Sequence, residues 1–395
     1  MSDFIPFSPD SAHQGADPRL AGGRLTIDLG ALAENYRMLA QRAAPARVAG
    51  VVKANAYGLG IAMVVPTLWQ AGCRTFFVAL PEEGIAARRA APGADIFVLN
   101  GLFGPESAPA YAQHRLMPVL NTQADISAWE AFGWDGKAPR PCAIHVDSGM
   151  NRLGVTAEEL HAFAHENSLT QAVTPLLLMS HLACADDAAS PMNARQLESF
   201  QKVRRILADS DSSLSNSAGI FLGPDYHFDL VRPGIALYGG APYNGGRNPM
   251  KPVVTAEARI VQVRHARAGE TASYGASAAL ARDTVIAVAS VGYADGYPRS
   301  ASGAGVPLRY AVTNGAHGFL HGKRVPLLGR VTMDLTLFDV TGLGDAANVG
   351  DHIELFGPNI PIDEAATAAG TISYELLTSL GKRYYRHYVA ADQPQ

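Results

Sequence analysis

Cysteine is scarce in this chain of 395 residues: it holds Cys73, Cys142 and Cys184 and no others. An odd number with no CxxC pair argues against a disulfide framework or a zinc site, and for a reducing, cytoplasmic setting. Long apolar runs are missing too. The longest, such as Thr174 to Ser180 and Val285 to Val291, fall far short of the ~20 residues that span a bilayer. There is no excess of positive charge, since 32 Lys plus Arg face 36 Asp plus Glu. Without a basic run to track a phosphate backbone, nucleic acid is excluded as the favoured partner. Residues 1–23 lack both a basic n-region and an apolar h-region, so they read as a flexible arm and not as a signal peptide.

What is present is ordinary globular material. Apolar residues make up 48% and charged residues 17%, enough to bury a large core. The length exceeds the roughly 250–300 residues at which one core stops growing, so two domains are expected. From about Arg24 to Gly240, short runs of Val, Ile, Leu and Phe alternate with helical segments. About eight such runs, centred on Val51, Phe77, Phe97, Pro118, Ile144, Leu178, Leu214 and Leu230, supply the number a closed (β/α)8 barrel requires. Helices are expected over 31–43, 82–91, 124–132, 157–166 and 194–208. The run Leu25 to Asp28 precedes the first helix as a ninth strand that need not belong to the barrel. A Gly- and Pro-rich cluster from Gly239 to Gly246 reads as a linker. Beyond it come short β runs (256–264, 284–291, 306–312, 324–328, 335–340 and 352–356) with one helical segment, Ile362 to Gly370. The expected division is therefore an arm (1–23), an α/β barrel (24–245) and a mostly β C-terminal domain (246–395).

Barrels gather their chemistry at the C-terminal ends of their strands. Lys53 ends the run Val48 to Val52. An amine partly desolvated at a barrel mouth favours its neutral form and suits a Schiff base with a carbonyl cofactor; a lysine snorkelling off a strand end is the competing reading. Ser180-His181, Asn216-Ser217-Ala218-Gly219 and Arg232-Pro233-Gly234-Ile235 follow later strands. A hydroxyl and glycine N–H groups on that side of a barrel suit a phosphate. A lysine for an aldehyde beside a phosphate cradle points to pyridoxal 5'-phosphate.

The run Val51-Val52-Lys53-Ala54-Asn55-Ala56-Tyr57-Gly58 resembles that of alanine racemases, as do Asp147 to Gly154, Ser180-His181, Asn216 to Gly219, Arg232 to Gly239 and Ser273-Tyr274-Gly275. Gly292 to Tyr297, Gly329 to Asp334 and Thr371 to Glu375 carry the resemblance through both domains, over about Arg24 to Tyr388. It implies a PLP-binding, TIM-type barrel followed by a β domain, in an enzyme that interconverts L- and D-alanine for peptidoglycan synthesis or D-alanine catabolism. Lys53 would hold the cofactor and act as base on one face of Cα. Tyr274, from the partner subunit of a head-to-tail homodimer, would act on the other. Inverting a stereocentre by proton transfer is simplest with one such group on each side.

The resemblance also implies that Tyr57, Ser217, Gly234, Ile235 and Tyr374 hold the phosphate, that Arg232 faces the pyridine nitrogen and polarises His181, and that Arg152 and the N–H of Met333 meet the substrate carboxylate. Tyr293 and Asp334 would lie near the entrance. Three positions depart from the family pattern. His145 stands where many members carry a lysine whose carbamylation orients the arginine, Leu59 where His is frequent, and Asn151 where Gly is common. Arg152 then takes another acceptor, an inorganic anion or a carboxylate, or is held more loosely. Two other readings fit parts of the pattern. One is a serine or broad-spectrum racemase; the other is a non-catalytic PLP-binding protein, against which the β domain and Tyr274 count.

Overall fold

The structure, a computed structural model, describes residues 13–133, 140–165, 173–304 and 315–390. The chain divides into two compact units. One holds residues 32–237 and 241–250; the other holds the described residues before 32, 238–240 and those from 251 onward. Residues 1–12 of the expected arm and the strand expected over 306–312 lie outside the described residues.

In the first unit, Gly50–Val51, Thr75–Val78, Asp95–Val98, Met117–Leu120, Arg140–His145, Val173–Met179 and Asp211–Ser213 form one sheet of parallel strands. Leu230–Val231 pairs in parallel with Arg47–Val48 at the start of the first strand. Ala49 N donates to Val231 O and Arg232 N to Ser215 O, both at 2.9 Å. The sheet thus closes into an eight-stranded barrel. The middle strands are buried on both faces, as Thr75–Val78 and Met117–Leu120 are throughout, which is why they read as unbroken apolar runs and not as alternating ones.

Helices Pro81–Ala90, Gln123–Gly133, Ala157–His165 and Pro191–Val203 return the chain between strands. The last starts three residues earlier than its apolar spacing suggests. Ser190 caps it, its hydroxyl accepting from Met192 N, and Pro191 fills the first helical position. Ile61–Gln70 is a helix the sequence reading left out, its interior Pro66 and adjacent Val64-Val65 having hidden the pattern.

The second unit is built on Val254–Ala266, a 13-residue strand. Its first part pairs with Gly23–Asp28 and with His352–Phe356, its second with Thr284–Ala289. An irregularity between Ile260 and Gln262 bends it from one set of partners to the other. Thr336–Asp339, Lys323–Leu328 and His317–Leu320 continue the order to His352–Phe356, which returns to Val254–Ala266, so this sheet also closes on itself. Gly23–Asp28 lies beside Tyr384–Val389 in parallel, and His13–Gly15 pairs with the outer edge of that strand.

Residues 23–28 are therefore part of the β unit, not of the barrel. The close approach of the two strands demands it: a Cβ on Gly23 would lie 2.6 Å from the Tyr384 ring. The expected helix at 362–370 is Ile362–Ala368, followed by a second, Ser373–Thr378.

Candidate active site

The barrel end that carries the chemistry is shaped first by an unusual turn. After Val52, residues Ala54, Asn55, Ala56 and Tyr57 all take left-handed φ between 52° and 55°, a conformation that costs a residue with a Cβ roughly 1–2 kcal/mol each. The turn is held by its own backbone, with Ala56 N on Val52 O and Gly58 N on Ala54 O, both at 2.8 Å. The Asn55 side chain accepts from Ile61 N at 3.0 Å. It delivers Lys53 to the mouth and sends the buried Tyr57 side chain to Gly234, where a Cβ would sit 2.1 Å from Tyr57 Oη.

Ser217 Oγ lies at the same place, accepting from Gly234 N at 2.8 Å and Ala236 N at 3.3 Å. With its acceptor side so occupied, the serine hydrogen is directed away from Gly234 and Ala236 and is free for an anionic oxygen. Tyr57, Ser217, Gly234 and Ile235 are thus brought together.

Arg232 is 4% exposed. Its guanidinium donates to Ser180 O at 2.6 Å, to Leu214 O at 3.5 Å and, in a short contact, to Ser213 Oγ, and meets His181 Nδ1 at 3.4 Å. Among the described residues no carboxylate balances it, and burial pushes its pKa down to about 9. Burial and the Arg232 charge hold His181 well below its ordinary value. The imidazole is neutral, with its lone pair on Nδ1 toward the arginine. Gln196, fully buried, fixes the backbone on both sides: its Nε2 donates to His181 O at 2.9 Å and its Oε1 accepts from Ala183 N at 2.8 Å.

Burial, then the charge of Arg152, lower the Lys53 pKa, opposed by Glu83. Arg152 itself is exposed, on a loop gathered by the Asp147 carboxylate, which accepts from Gly149, Met150 and Asn151 N at 2.8–2.9 Å. Asn151 has φ 55°, a left-handed position that glycine fits and asparagine tolerates.

At the departure from the family pattern, His145 is 6% exposed and its Nδ1 lies 2.8 Å from Asn121 Oδ1. The Asn121 amide gives its hydrogens to Leu99 O and Val119 O. Its oxygen must therefore accept, which puts the histidine proton on Nδ1 and a lone pair on Nε2. Burial first, then Arg232 and Arg152, push its pKa down to about 4. No protein group bonds the Arg152 guanidinium among the described residues, so a carboxylate from a ligand finds it open. Arg152, Arg232 and the neutral donors around them suit anions, with Asp147 and Glu83 the carboxylates that act on His145 and Lys53.

The β unit carries the other expected residues. Tyr274 is 72% exposed, in a turn where Ser273 and Ala276 have positive φ. Ser273 Oγ accepts from Arg330 N at 2.9 Å and pins that turn to the 329–330 segment. Met333 is also exposed, and its loop is clasped to 292–295: Tyr293 N donates to Thr332 O and Ala294 N to Met333 O, both at 3.0 Å. Arg383 ties the clasp, donating to buried Asp295 at 2.6 and 2.8 Å and to Asp334 at 2.8 Å. Tyr374, on Ser373–Thr378, is 40% exposed.

Sequence reasoning missed Glu83, Asn121, Gln196 and Arg383. Glu83 and Gln196 act from helices and Asn121 and Arg383 from loops, with no motif of their own, and only the fold gives them their partners. Among the described residues no His/Cys/Asp/Glu group could hold a metal ion.

The alanine racemase N-terminal domain matches residues 27–242 and the alanine racemase C-terminal domain residues 253–388. The chain is 54% identical over 391 residues to the biosynthetic alanine racemase of Agrobacterium fabrum, covering 99% of each. It is 53% identical over 370 residues to the alanine racemase of Rhizobium meliloti, covering 93% of this chain and 97% of that one. Among solved structures, alanine racemase from Bartonella henselae with covalently bound pyridoxal phosphate superposes with a TM-score of 0.86 at 40% identity, covering 93% of this chain and 100% of the other.

Proposed function

The chain belongs to the alanine racemase family, and from that premise we propose that it is a pyridoxal 5'-phosphate-dependent enzyme interconverting L- and D-alanine with Lys53 and Tyr274 as its two bases. The observation that carries the reading is the barrel mouth: a lysine of lowered pKa, two hydroxyls converging on Gly234, and a buried arginine with no carboxylate partner among the described residues. That donor set fits the cofactor's aldehyde, phosphate and pyridine ring. When bound, the cofactor supplies the electron sink that acidifies the substrate Cα–H.

The rest is the work of the chain's own residues. Tyr57, Ser217, Gly234 and Ile235, with Tyr374, would hold the phosphate. Arg232, still protonated at neutral pH even with its pKa near 9, cannot hand a proton to the pyridine nitrogen. Arg232 would thereby leave the bound ring a weaker sink and would favour prompt reprotonation at Cα over side reactions. His181, neutral against Arg232, packs beside it. Arg152 and the N–H of Met333 orient the substrate carboxylate. Lys53 Nζ takes or returns the proton on one face of Cα and Tyr274 Oη on the other.

Exposure of Tyr274, Met333 and Tyr374 in the single chain supports a homodimer in which each subunit lends its tyrosine to the other's site. The free cysteines support a cytoplasmic setting, and no described helix is long and apolar enough to cross a membrane. The decisive experiment incubates the holoenzyme with L-alanine in deuterated water. D-alanine carrying deuterium at Cα is expected, and absence of both product and label overturns the assignment. Sedimentation that finds a fully active monomer overturns the composite site.

A further inference from the structure

One carboxylate joins two loops beneath the barrel mouth. Glu83, three residues into the helix Pro81–Ala90, accepts through Oε2 from Ala79 N at 2.9 Å and Leu80 N at 3.2 Å. Through Oε1 it accepts from Ala54 N at 2.6 Å and Asn55 N at 3.4 Å. The first pair is an ordinary helix-start arrangement. The second lies 28 and 29 residues away, at the start of the left-handed run. Ala54 and Asn55 are held at φ 52° and 53°, a conformation that alanine disfavours and asparagine tolerates.

We propose that Glu83 is the positioning residue of Lys53: its carboxylate clamps the left-handed turn that presents the lysine and Tyr57, and brings an anionic group to the amine. This rests on Lys53 being the cofactor lysine. The charged groups that act on Lys53 are Arg152, which disfavours its charged form, and Glu83, which favours it, while the neighbouring His181 is neutral. Without Glu83 the turn loses a charge-assisted acceptor and the amine loses its one favourable counter-charge in that set, so both the shape and the proton affinity of the lysine change together.

Glu83→Gln in the full chain tests this, with two readouts that do not depend on turnover. Amide hydrogen exchange of the 54–60 peptide is expected to speed up by about tenfold or more. Amine labelling of Lys53 in the cofactor-free chain, followed by peptide mass spectrometry, is expected to shift to lower pH. Glu83→Asp keeps the charge but falls one methylene short: it should loosen the turn with a smaller shift in labelling, and it serves if the glutamine variant does not fold.

A helix-start role alone would change exchange only at 79–83 and leave Lys53 labelling where it was; that result overturns the proposal. Borohydride reduction of the parent holoenzyme separates the premise from the inference. If the cofactor is not trapped on Lys53, the assignment of the lysine fails. If it is trapped there and Glu83→Gln moves neither readout, the clamp fails.

Discussion

A single methyl group at Gly234 is the sharpest probe of the cofactor cradle. In Gly234→Ala the new Cβ would fall 2.1 Å from Tyr57 Oη and 2.9 Å from Cζ. To regain the 3.4 Å at which ordinary contact begins, the hydroxyl must retreat by about 1.3 Å, and it has little room because Tyr57 is 5% exposed on a turn fixed by backbone bonds. A displacement of that size takes the hydroxyl out of hydrogen-bond range of a phosphate oxygen. Losing one bond to a charged group, about 1.5–3 kcal/mol, raises the dissociation constant for pyridoxal phosphate by roughly 10- to 150-fold. The crowding itself destabilises the cofactor-free chain by about 1–3 kcal/mol.

Two assays read these terms apart: absorbance titration of cofactor-free protein with pyridoxal phosphate, and urea unfolding. The double variant Gly234→Ala/Tyr57→Phe removes the offending oxygen, so it should recover part of the lost stability while affinity stays low. Cofactor affinity within threefold of the parent in Gly234→Ala, or no recovery of stability in the double variant, would refute the argument.

Three further outcomes are expected. The His145 pKa falls from 6.5 to about 4 in the folded chain, so between those values the unfolded state binds more protons. The contribution of His145 is present in full above pH 6.5 and is lost as pH falls toward 4, to the extent of about 3 kcal/mol. His145→Gln should flatten that part of a stability–pH curve, the part due to His181 remaining, and an unchanged slope would contradict the neutral assignment. Tyr274→Phe should abolish racemisation while the absorbance of bound cofactor persists, and full retained activity would remove it as the second base. Arg383→Ala leaves the Asp295 carboxylate buried without its partner, so the urea midpoint should drop by an amount worth about 1–3 kcal/mol. KM for alanine should also rise as the Met333 loop loosens; no change in either measure refutes the clasp.

The barrel strands were legible because parallel strands buried on both faces are written as apolar runs. Phe76, Phe77 and Val78, all at 0% exposure, could hardly read otherwise. The strand His317–Leu320 was not legible, being four residues with a histidine and a glycine in it. Tyr384–Val389 was hidden by Arg386 and His387 in mid-strand. The run 25–28 was recognisable as a strand, but its partners, 254–266 and 384–389, lie more than 200 residues away, and no local pattern names them.

In the site the division is similar. Lys53, Arg152, His181 and Arg232 lie at strand ends or in the motif loops that follow them, where the order of the motifs announces them. Glu83 sits on a helix, and Asn121, though it follows the strand Met117–Leu120, belongs to no motif.

The sequence alone thus determined the two-domain plan, the barrel, the kind of cofactor and the candidate residues for its site, because apolar periodicity and motif order are properties of the chain itself. Only the tertiary structure decided the state of those residues. That the His145 proton sits on Nδ1 follows from where the Asn121 amide spends its hydrogens. That Arg232 keeps its charge among neutral acceptors follows from which carbonyls surround it. That the left-handed turn after Lys53 finds a carboxylate acceptor follows from a helix that starts 28 residues further along the chain. Protonation and conformation are set by burial and by neighbours in space, and those neighbours exist only once the chain has folded.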